Sequence, residues 1–208
     1  VNLKHRGDAL AAADDTVLLR RLISESAQKY GLRATFMAKP FLDWPGNGMH
    51  IHASLLDRDG NNIFAGPSGE TLIEHAACGL LDTIRDALLL FIPGFNGYRR
   101  LQPGSYAPTR IAWGRNNRSV AVRVPASEEA ATRLEHRLSG ADANPYFVAA
   151  GVLGGILEGL ENGRLPPPPV EGNAYSVPLP SLSDDMDDAI DDFERSEFIR
   201  KLLGVELR

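Results

Sequence analysis

The sequence predicts an α+β fold, in which a curved, mostly antiparallel sheet is lined by polar strand faces and packed by helices on its outer side. Short segments alternate polar and apolar residues with the period of a strand, and longer segments repeat apolar residues at helical spacing. Residues 57–62 place glycine and asparagine where a hairpin turn needs a positive φ. These three observations together favour strands and helices in one mixed domain.

Composition narrows the class of protein. The chain has 208 residues, of which 43% are hydrophobic and 24% are charged, so it is long enough for a core in one or two domains. The net charge of -5 argues against a nucleic-acid partner, and no apolar run is long enough to cross a membrane. The single Cys78 excludes an internal disulfide and favours a reducing, cytoplasmic location.

The first half of the chain contains two predicted helical segments. Residues 9–31 predict a helix with the apolar stripe Leu18, Leu19, Leu22 and Ile23. Residues 34–38 predict a short strand, and residues 68–90 predict one long helix or two. Residues 1–3 have the composition of the middle of a strand, so we expect the chain to be a fragment of a longer protein.

The second half alternates loops, strands and helices. Residues 91–108 predict a loop rich in Gly and Pro, and residues 144–159 predict a helix with a proline in its first turn. The prolines at 166–169 predict a stiff spacer, and residues 183–203 predict an acidic helix or helix pair capped by Ser183. Three strands are predicted between these elements, at residues 111–113, 120–124 and 133–138.

The histidine-containing segment 48–55 is the most informative one. Side chains alternate between the faces of a strand, so His50, His52 and Ser54 share one face. The opposite, apolar face is formed by Met49, Ile51, Ala53 and Leu55. The segment therefore predicts a strand that presents two imidazoles and a hydroxyl to a cleft.

Two later strands show the same alternation with arginines. Arg133, Glu135 and Arg137 share one face, and Leu134, His136 and Leu138 share the other. Arg123 lies opposite an apolar row formed by Val120, Val122 and Val124. Arginine binds phosphate or carboxylate in bidentate fashion, and a glutamate among arginines is costly unless ions occupy the face. The pattern predicts a site for phosphate plus a divalent metal.

Four motifs, in order along the chain, resemble the C-terminal part of the catalytic domain of glutamine synthetases. They are Gly48–Leu55, the stretch from Arg100 to Pro108, the stretch from Trp113 to Pro125, and Arg133–Arg137 followed by Asp142–Tyr146. The resemblance covers nearly all of residues 1–208. It implies that a β-grasp domain and strands with metal-binding glutamates precede this segment, and that the segment alone is inactive.

The resemblance assigns roles to individual residues. His50 and Glu135 resemble ligands of the metal that lies between the ATP phosphates. The remaining assignments are nucleotide contacts at His52, Ser54 and Arg133, substrate contacts at Gly46, Arg100, Arg137 and Tyr106, and catalytic arginines at Arg118 and Arg123.

The implied reaction is ATP-dependent ligation. The γ-carboxylate of glutamate is activated as γ-glutamyl phosphate and then condensed with ammonia or an organic amine. The implied metal is Mg²⁺ or Mn²⁺, and imidazole ligation favours Mn²⁺. The implied assembly is a double-ring homo-oligomer whose neighbouring subunits share active sites.

Three residues depart from the family pattern. Tyr106 stands where ammonia-using members carry a catalytic glutamate residue. Pro45 replaces an asparagine that usually contacts the glutamate substrate, and Ala130 replaces a lysine that lies beside the nucleotide in some members. These departures leave the acceptor open between ammonia and an organic amine. Two alternatives to a ligase are a catalytically silent structural member of the same family and an unrelated metal-binding module.

Overall fold

A computed structural model describes residues 1–204 as a small sheet covered by helices. The helices are α1 (Ala9–Lys29), α2 (Gly69–Thr83), α3 (Leu88–Phe91), α4 (Phe95–Tyr98), α5 (Pro145–Asn162), α6 (Met186–Arg195) and α7 (Glu197–Leu203). The strands are β1 (Ile51–Ala53), β2 (Trp113–Arg115), β3 (Val122–Val124) and β4 (Leu134–His136). The mixed α+β class is confirmed.

The sheet has four strands in the order β1-β4-β3-β2. β4 pairs antiparallel with β1 on one side and with β3 on the other, whereas β2 and β3 are parallel. The register sets His52 opposite Glu135, and Glu135 opposite Arg123. Because paired residues in adjacent strands point to the same face, these three side chains form one row.

The core lies between the apolar face of the sheet and helices α2 and α5. Val122 and Leu134 from the sheet pack in one cluster with Ile73 of α2 and Ile156 of α5. The two helices cross closely because glycines meet at the crossing. A Cβ added at Gly159 would overlap the His75 carbonyl oxygen and lie 2.8 Å from the Gly79 nitrogen.

Helix α1 has the predicted extent but not the predicted burial. Asp8 caps it by accepting hydrogen bonds from the Leu10 and Ala11 amides, and it ends at Lys29. Of its apolar stripe, Leu18 and Leu22 remain exposed, and Ala13 is the residue of α1 that is buried within residues 1–204. An apolar stripe predicts a buried face only when another element packs against it, and α1 contacts mainly α5.

Several predicted elements differ from the structure. Residues 34–38 and 1–3 form no strand. Residues 34–38 have no ladder partner in the described part of the chain, and the Ala38 carbonyl instead accepts from the Asn47 amide at 2.8 Å. The cap of the acidic helix is Asp185, which accepts from the Asp187 amide, and not Ser183. The helix pair itself, α6 and α7, is confirmed.

The proline run is more than a spacer. Residues 165–173 have no regular structure, yet they pack along β2. The Trp113 indole donates to the Pro167 carbonyl at 2.6 Å, and the Val170 amide donates to the Trp113 carbonyl at 2.8 Å.

Within residues 1–204, no helix is both long and apolar enough to traverse a bilayer.

Candidate active site

Glu135 is the centre of the polar face of the sheet. Its side chain is nearly fully buried, yet the partners of its carboxylate are polar or charged side chains. Oε1 accepts from Arg137 Nη1 at 2.9 Å and lies 3.0 Å from His50 Nδ1. Oε2 accepts from Arg123 Nη1 at 2.8 Å. Both carboxylate oxygens are therefore occupied by cationic or imidazole partners.

These partners decide the charge of Glu135. Burial by itself raises the pKa of a carboxyl group, because it disfavours the anion. The hydrogen bond from His50, the charge of Arg137 and the hydrogen bond from Arg123 outweigh burial and lower the pKa of Glu135 to about 2. Glu135 is thus an anion at neutral pH, held between two arginines.

The histidines stand on the same face as the glutamate. His52 Nε2 lies 3.9 Å from Glu135 Oε1, and His52 Nδ1 accepts from Arg133 Nε at 3.1 Å. Burial lowers the pKa of His52; Glu135 opposes this shift, and the charge of Arg133 adds to it. His136 faces the core, as the alternation predicted, with its ring centroid 4.2 Å from that of Phe91.

His50 and Glu135 have suitable donor types for Mg²⁺ or Mn²⁺, namely an imidazole nitrogen and carboxylate oxygens. The set is incomplete, because no three His, Cys, Asp or Glu side chains of residues 1–204 gather as a metal cage. A divalent ion at His50 and Glu135 would need further ligands.

Arg100 is buried to the same degree as Arg137, whereas Tyr106, another predicted substrate contact, is exposed. Arg100 is 5% exposed, and its guanidinium donates to the carbonyls of Leu138 at 2.6 Å and Arg137 at 3.2 Å. Burial, followed by the charge of Arg137, lowers the pKa of Arg100 to about 10. The glycine-rich turn covers it: a Cβ at Gly46 would lie 3.0 Å from Arg100 Cγ, and one at Gly48 would lie 2.7 Å from Nη2.

The remaining predicted residues join the site unequally. Arg137 Nη2 donates to the Arg118 carbonyl at 2.9 Å and to the Tyr106 carbonyl at 3.4 Å, so both backbones border the polar face. The side chains of Arg118 and Tyr106 are exposed. Ser54 is half-buried, and no hydrogen bond joins it to this cluster in the part of the chain that the structure describes.

The sequence reasoning did not single out Asn116, Asn117 or Tyr175. Asn116 Oδ1 accepts from Arg123 Nη2 at 2.7 Å. Asn116 and Tyr106 both have a positive φ, of 50° and 59°. Asparagine tolerates this backbone region, so the paired asparagines before Arg118 could have been recognised as a turn. Tyr175 lies far from the motifs in sequence and carries no local signal.

An open cavity of about 450 Å³ adjoins the polar face. It is bordered by Asn116, which binds Arg123, and by Thr132, which precedes Arg133. Arg115 and Glu70 also line it and form an ion pair. Of the residues that were predicted to contact a nucleotide, Arg133 is the one whose chain neighbour, Thr132, lines this cavity.

Comparisons with known proteins agree with the motifs. A family model described as glutamine synthetase, catalytic domain, matches residues 1–207. The γ-glutamylputrescine synthetase PuuA of Escherichia coli strain K12 is 40% identical over 209 residues, which are 98% of this chain and 44% of that protein. A glutamine synthetase of Pyrococcus woesei is 36% identical over 206 residues, 95% of this chain and 47% of that protein.

A solved structure shows the same architecture. The GmaS/ADP complex in its first conformation superposes with a TM-score of 0.87 and 33% sequence identity. The match covers 96% of this chain and 48% of that one. The chain thus spans about half the length of the relatives that it matches.

Proposed function

The chain belongs to the glutamine synthetase family, and from this we propose that residues 1–208 form the C-terminal catalytic part of an ATP-dependent ligase that joins glutamate to an amine. The observation that carries the proposal is the row of His52, Glu135 and Arg123 with His50 and Arg137 around it. One buried carboxylate between imidazoles and arginines suits a centre that holds a divalent ion and phosphate groups.

The proposed reaction has two steps. An oxygen of the glutamate γ-carboxylate attacks the γ-phosphorus of ATP, and ADP leaves. The amine nitrogen then attacks the carbonyl carbon of γ-glutamyl phosphate, inorganic phosphate leaves, and the nitrogen loses a proton. Such phosphoryl transfer depends on positioning and charge neutralisation rather than on covalent help from the protein.

The arginines would provide that neutralisation. Arg123 is fixed by Glu135 and Asn116, so its guanidinium is oriented before any substrate arrives. Arg118 is exposed at the tip of the loop between β2 and β3 and is free to turn towards a phosphoryl group. A bound Mg²⁺ or Mn²⁺ at His50 and Glu135 would supply further positive charge on the phosphates.

The nucleotide is proposed to lie along His52, Ser54 and Arg133 and to extend into the cavity of about 450 Å³. The ADP named in the GmaS structure supports nucleotide binding by this fold. Glutamate is proposed to lie beside Gly46, Arg100 and Arg137. The two buried arginines can hold a carboxylate, and the half-buried backbone at Gly46 can accept from an ammonium group.

We propose an organic amine as the preferred acceptor. Tyr106 is exposed, and its positive φ gives it a backbone conformation that differs from that of a regular strand or helix. A tyrosine cannot pair with ammonium as a carboxylate does, but its ring face suits an alkyl amine. The name of the relative PuuA, a γ-glutamylputrescine synthetase, favours the same choice. The intact enzyme is further proposed to be a homo-oligomeric double ring.

The test compares kcat/KM for ammonium, putrescine and ethanolamine in the full-length enzyme, with glutamate and ATP saturating. We expect an organic amine to be the best acceptor and Tyr106→Glu to improve the use of ammonium. If ammonium is best and Tyr106→Glu does not improve its use, the acceptor proposal is wrong. If no amine supports ATP-dependent ligation, the chain is a silent member of the family.

A further inference from the structure

We propose that Tyr175 is a positioning residue for the acceptor amine, because it anchors the Tyr106 loop, defined as residues 103–108. The inference rests on the proposed ligase function and adds a residue to it. Tyr175 lies in the short turn Ala174–Ser176, after the prolines at 166–169. It belongs to none of the four motifs that resemble the family. Its phenol nevertheless reaches the loop that carries Tyr106.

Besides the bonds of Ser105 to the adjacent Gln102 carbonyl, three hydrogen bonds of the Tyr106 loop are important here. Ser105 Oγ donates to the Arg100 carbonyl at 3.0 Å, and Arg137 Nη2 donates to the Tyr106 carbonyl at 3.4 Å. Tyr175 Oη donates to the Ala107 carbonyl at 2.8 Å. The first two attachments come from residues that were assigned to glutamate. The third comes from a residue with no other role, and it holds the carbonyl directly after Tyr106.

The third attachment is short and well made. Its length is ordinary for a hydroxyl donor to a carbonyl, whereas the contact from Arg137 is at the long limit. Burial raises the pKa of Tyr175, although the hydrogen bond with Ser105, the charge of Arg137, the hydrogen bond with the Tyr106 backbone and the charge of Arg100 oppose the rise. The phenol therefore keeps its proton at neutral pH and can donate a hydrogen bond to the Ala107 carbonyl.

Tyr175 is itself held in place by the arginine segment. It lies in a short 3₁₀ turn, Ala174–Ser176, that begins where Asn173 caps the Tyr175 amide. The Ala174 amide donates to Ser119 Oγ at 2.9 Å. Asn117 Nδ2 donates to the Gly172 carbonyl at 2.8 Å. One segment thus connects the loop of Arg118 with the loop of Tyr106.

This connection predicts a selective defect. If the hydroxyl is removed, the Tyr106 loop loses its anchor after Tyr106, while the contacts of Arg100 and Arg137 with the rest of the site remain. Binding of the amine should weaken, and binding of glutamate and ATP should not. Water would then compete for the carbonyl carbon of γ-glutamyl phosphate, which returns glutamate and inorganic phosphate without forming an amide.

The experiment uses Tyr175→Phe in the full-length enzyme, with Tyr98→Phe as the matched control. Tyr98 Oη is buried and has no hydrogen-bond partner among the described residues, so its removal should change no kinetic constant. For Tyr175→Phe we expect the KM for the best amine to rise about 3- to 10-fold, the effect of one hydrogen bond. The ratio of phosphate released to amide formed should also rise.

The KM values for glutamate and ATP, and the melting temperature, should stay close to those of the wild type. An unchanged amine KM in Tyr175→Phe overturns the inference. So does a uniform loss of all activities or of folded protein, which would indicate a structural role only. A wild-type enzyme that forms no amide at all rejects the proposed function itself, and this result is visible before any variant is compared.

Discussion

Leu134 and Glu135 are neighbours on β4, and both are almost completely buried, at 1% and 3% exposure. Leu134 belongs to the core with α2 and α5, whereas Glu135 is surrounded by His50, Arg123 and Arg137. Exposure alone does not separate the two faces of the sheet; the partners do. The core face is closed by helices of this chain, whereas the polar face offers, within residues 1–204, the two metal donors His50 and Glu135 and no cage of three or more.

The largest effect should follow from that incompleteness. A protein made of residues 1–208 alone should fold around its core and show almost no ligase activity with glutamate, ATP, amine and Mn²⁺, because His50 and Glu135 cannot neutralise the phosphates unaided. A hydroxamate or phosphate-release assay measures this. Turnover on the order of 1–10³ per second, as in ordinary enzymes, would show that the polar face is sufficient by itself.

The sharpest comparison places Glu135→Ala beside Leu134→Ala in the full-length enzyme. We expect Glu135→Ala to lower kcat by about 100-fold or more, since charge stabilisation is lost where it matters most, in the transition state. Leu134→Ala should instead lower the free energy of unfolding by roughly 2–5 kcal/mol through a cavity. Steady-state kinetics and denaturant melts on both variants give the answer. Wild-type kcat in Glu135→Ala would remove this residue from the site.

The core face can be tested alone at the crossing of α2 and α5. Gly159→Ala should destabilise the protein by roughly 1–3 kcal/mol, because its Cβ would overlap backbone atoms of α2 that cannot rotate away. Gly94→Ala is the matched control, since a Cβ there has nothing within 4 Å. Urea denaturation compares them. Equal stability of the two variants would mean that the helices are farther apart than described.

The smallest effect is expected on the edge strand β1. There Ile51 on the core face and His52 on the polar face allow the same comparison as Leu134 and Glu135. Ile51→Val should cost about 0.5–1.5 kcal/mol of stability at most, and it should leave KM for ATP unchanged. His52→Ala should raise the KM for ATP, because Arg133 loses the imidazole that accepts its hydrogen bond. Kinetics at varied ATP measure both. A normal ATP KM in His52→Ala would exclude it from nucleotide binding.

Alternation along strands predicted both faces of the sheet correctly, because each of the three polar strands has one side that packs into the core and is mostly apolar. It predicted that His136 would face the core and that Glu135 would face the arginines. The strand expected at residues 34–38 failed for the complementary reason: composition identifies an extended segment, but a ladder needs a neighbour, and here hydrogen bonds with Asn47 take its place.

Contacts between distant segments were beyond local patterns. Nothing near Tyr175 in the sequence indicates that its hydroxyl reaches Ala107, and nothing near Leu18 or Leu22 indicates that these side chains stay exposed. The acidic helix was predicted correctly, but Asp185 rather than Ser183 caps it. Several side chains at this end can accept a hydrogen bond from a backbone amide, so the sequence alone does not decide which one is the cap. Roles of individual site residues were inferred from the family resemblance and stay predictions.

The parallel pairing of β2 and β3 has a consequence for the order of folding. Parallel strands ordinarily need a crossover of about a dozen residues or more, yet residues 116–121 connect these two directly. Closing so short a loop has a small entropic cost, so this pair, with Arg118 in its loop and Arg123 on β3, can form early. The contact between Arg133 and His52 joins residues 81 positions apart. We therefore expect Arg118 and Arg123 to reach their positions during folding before His52 pairs with Arg133.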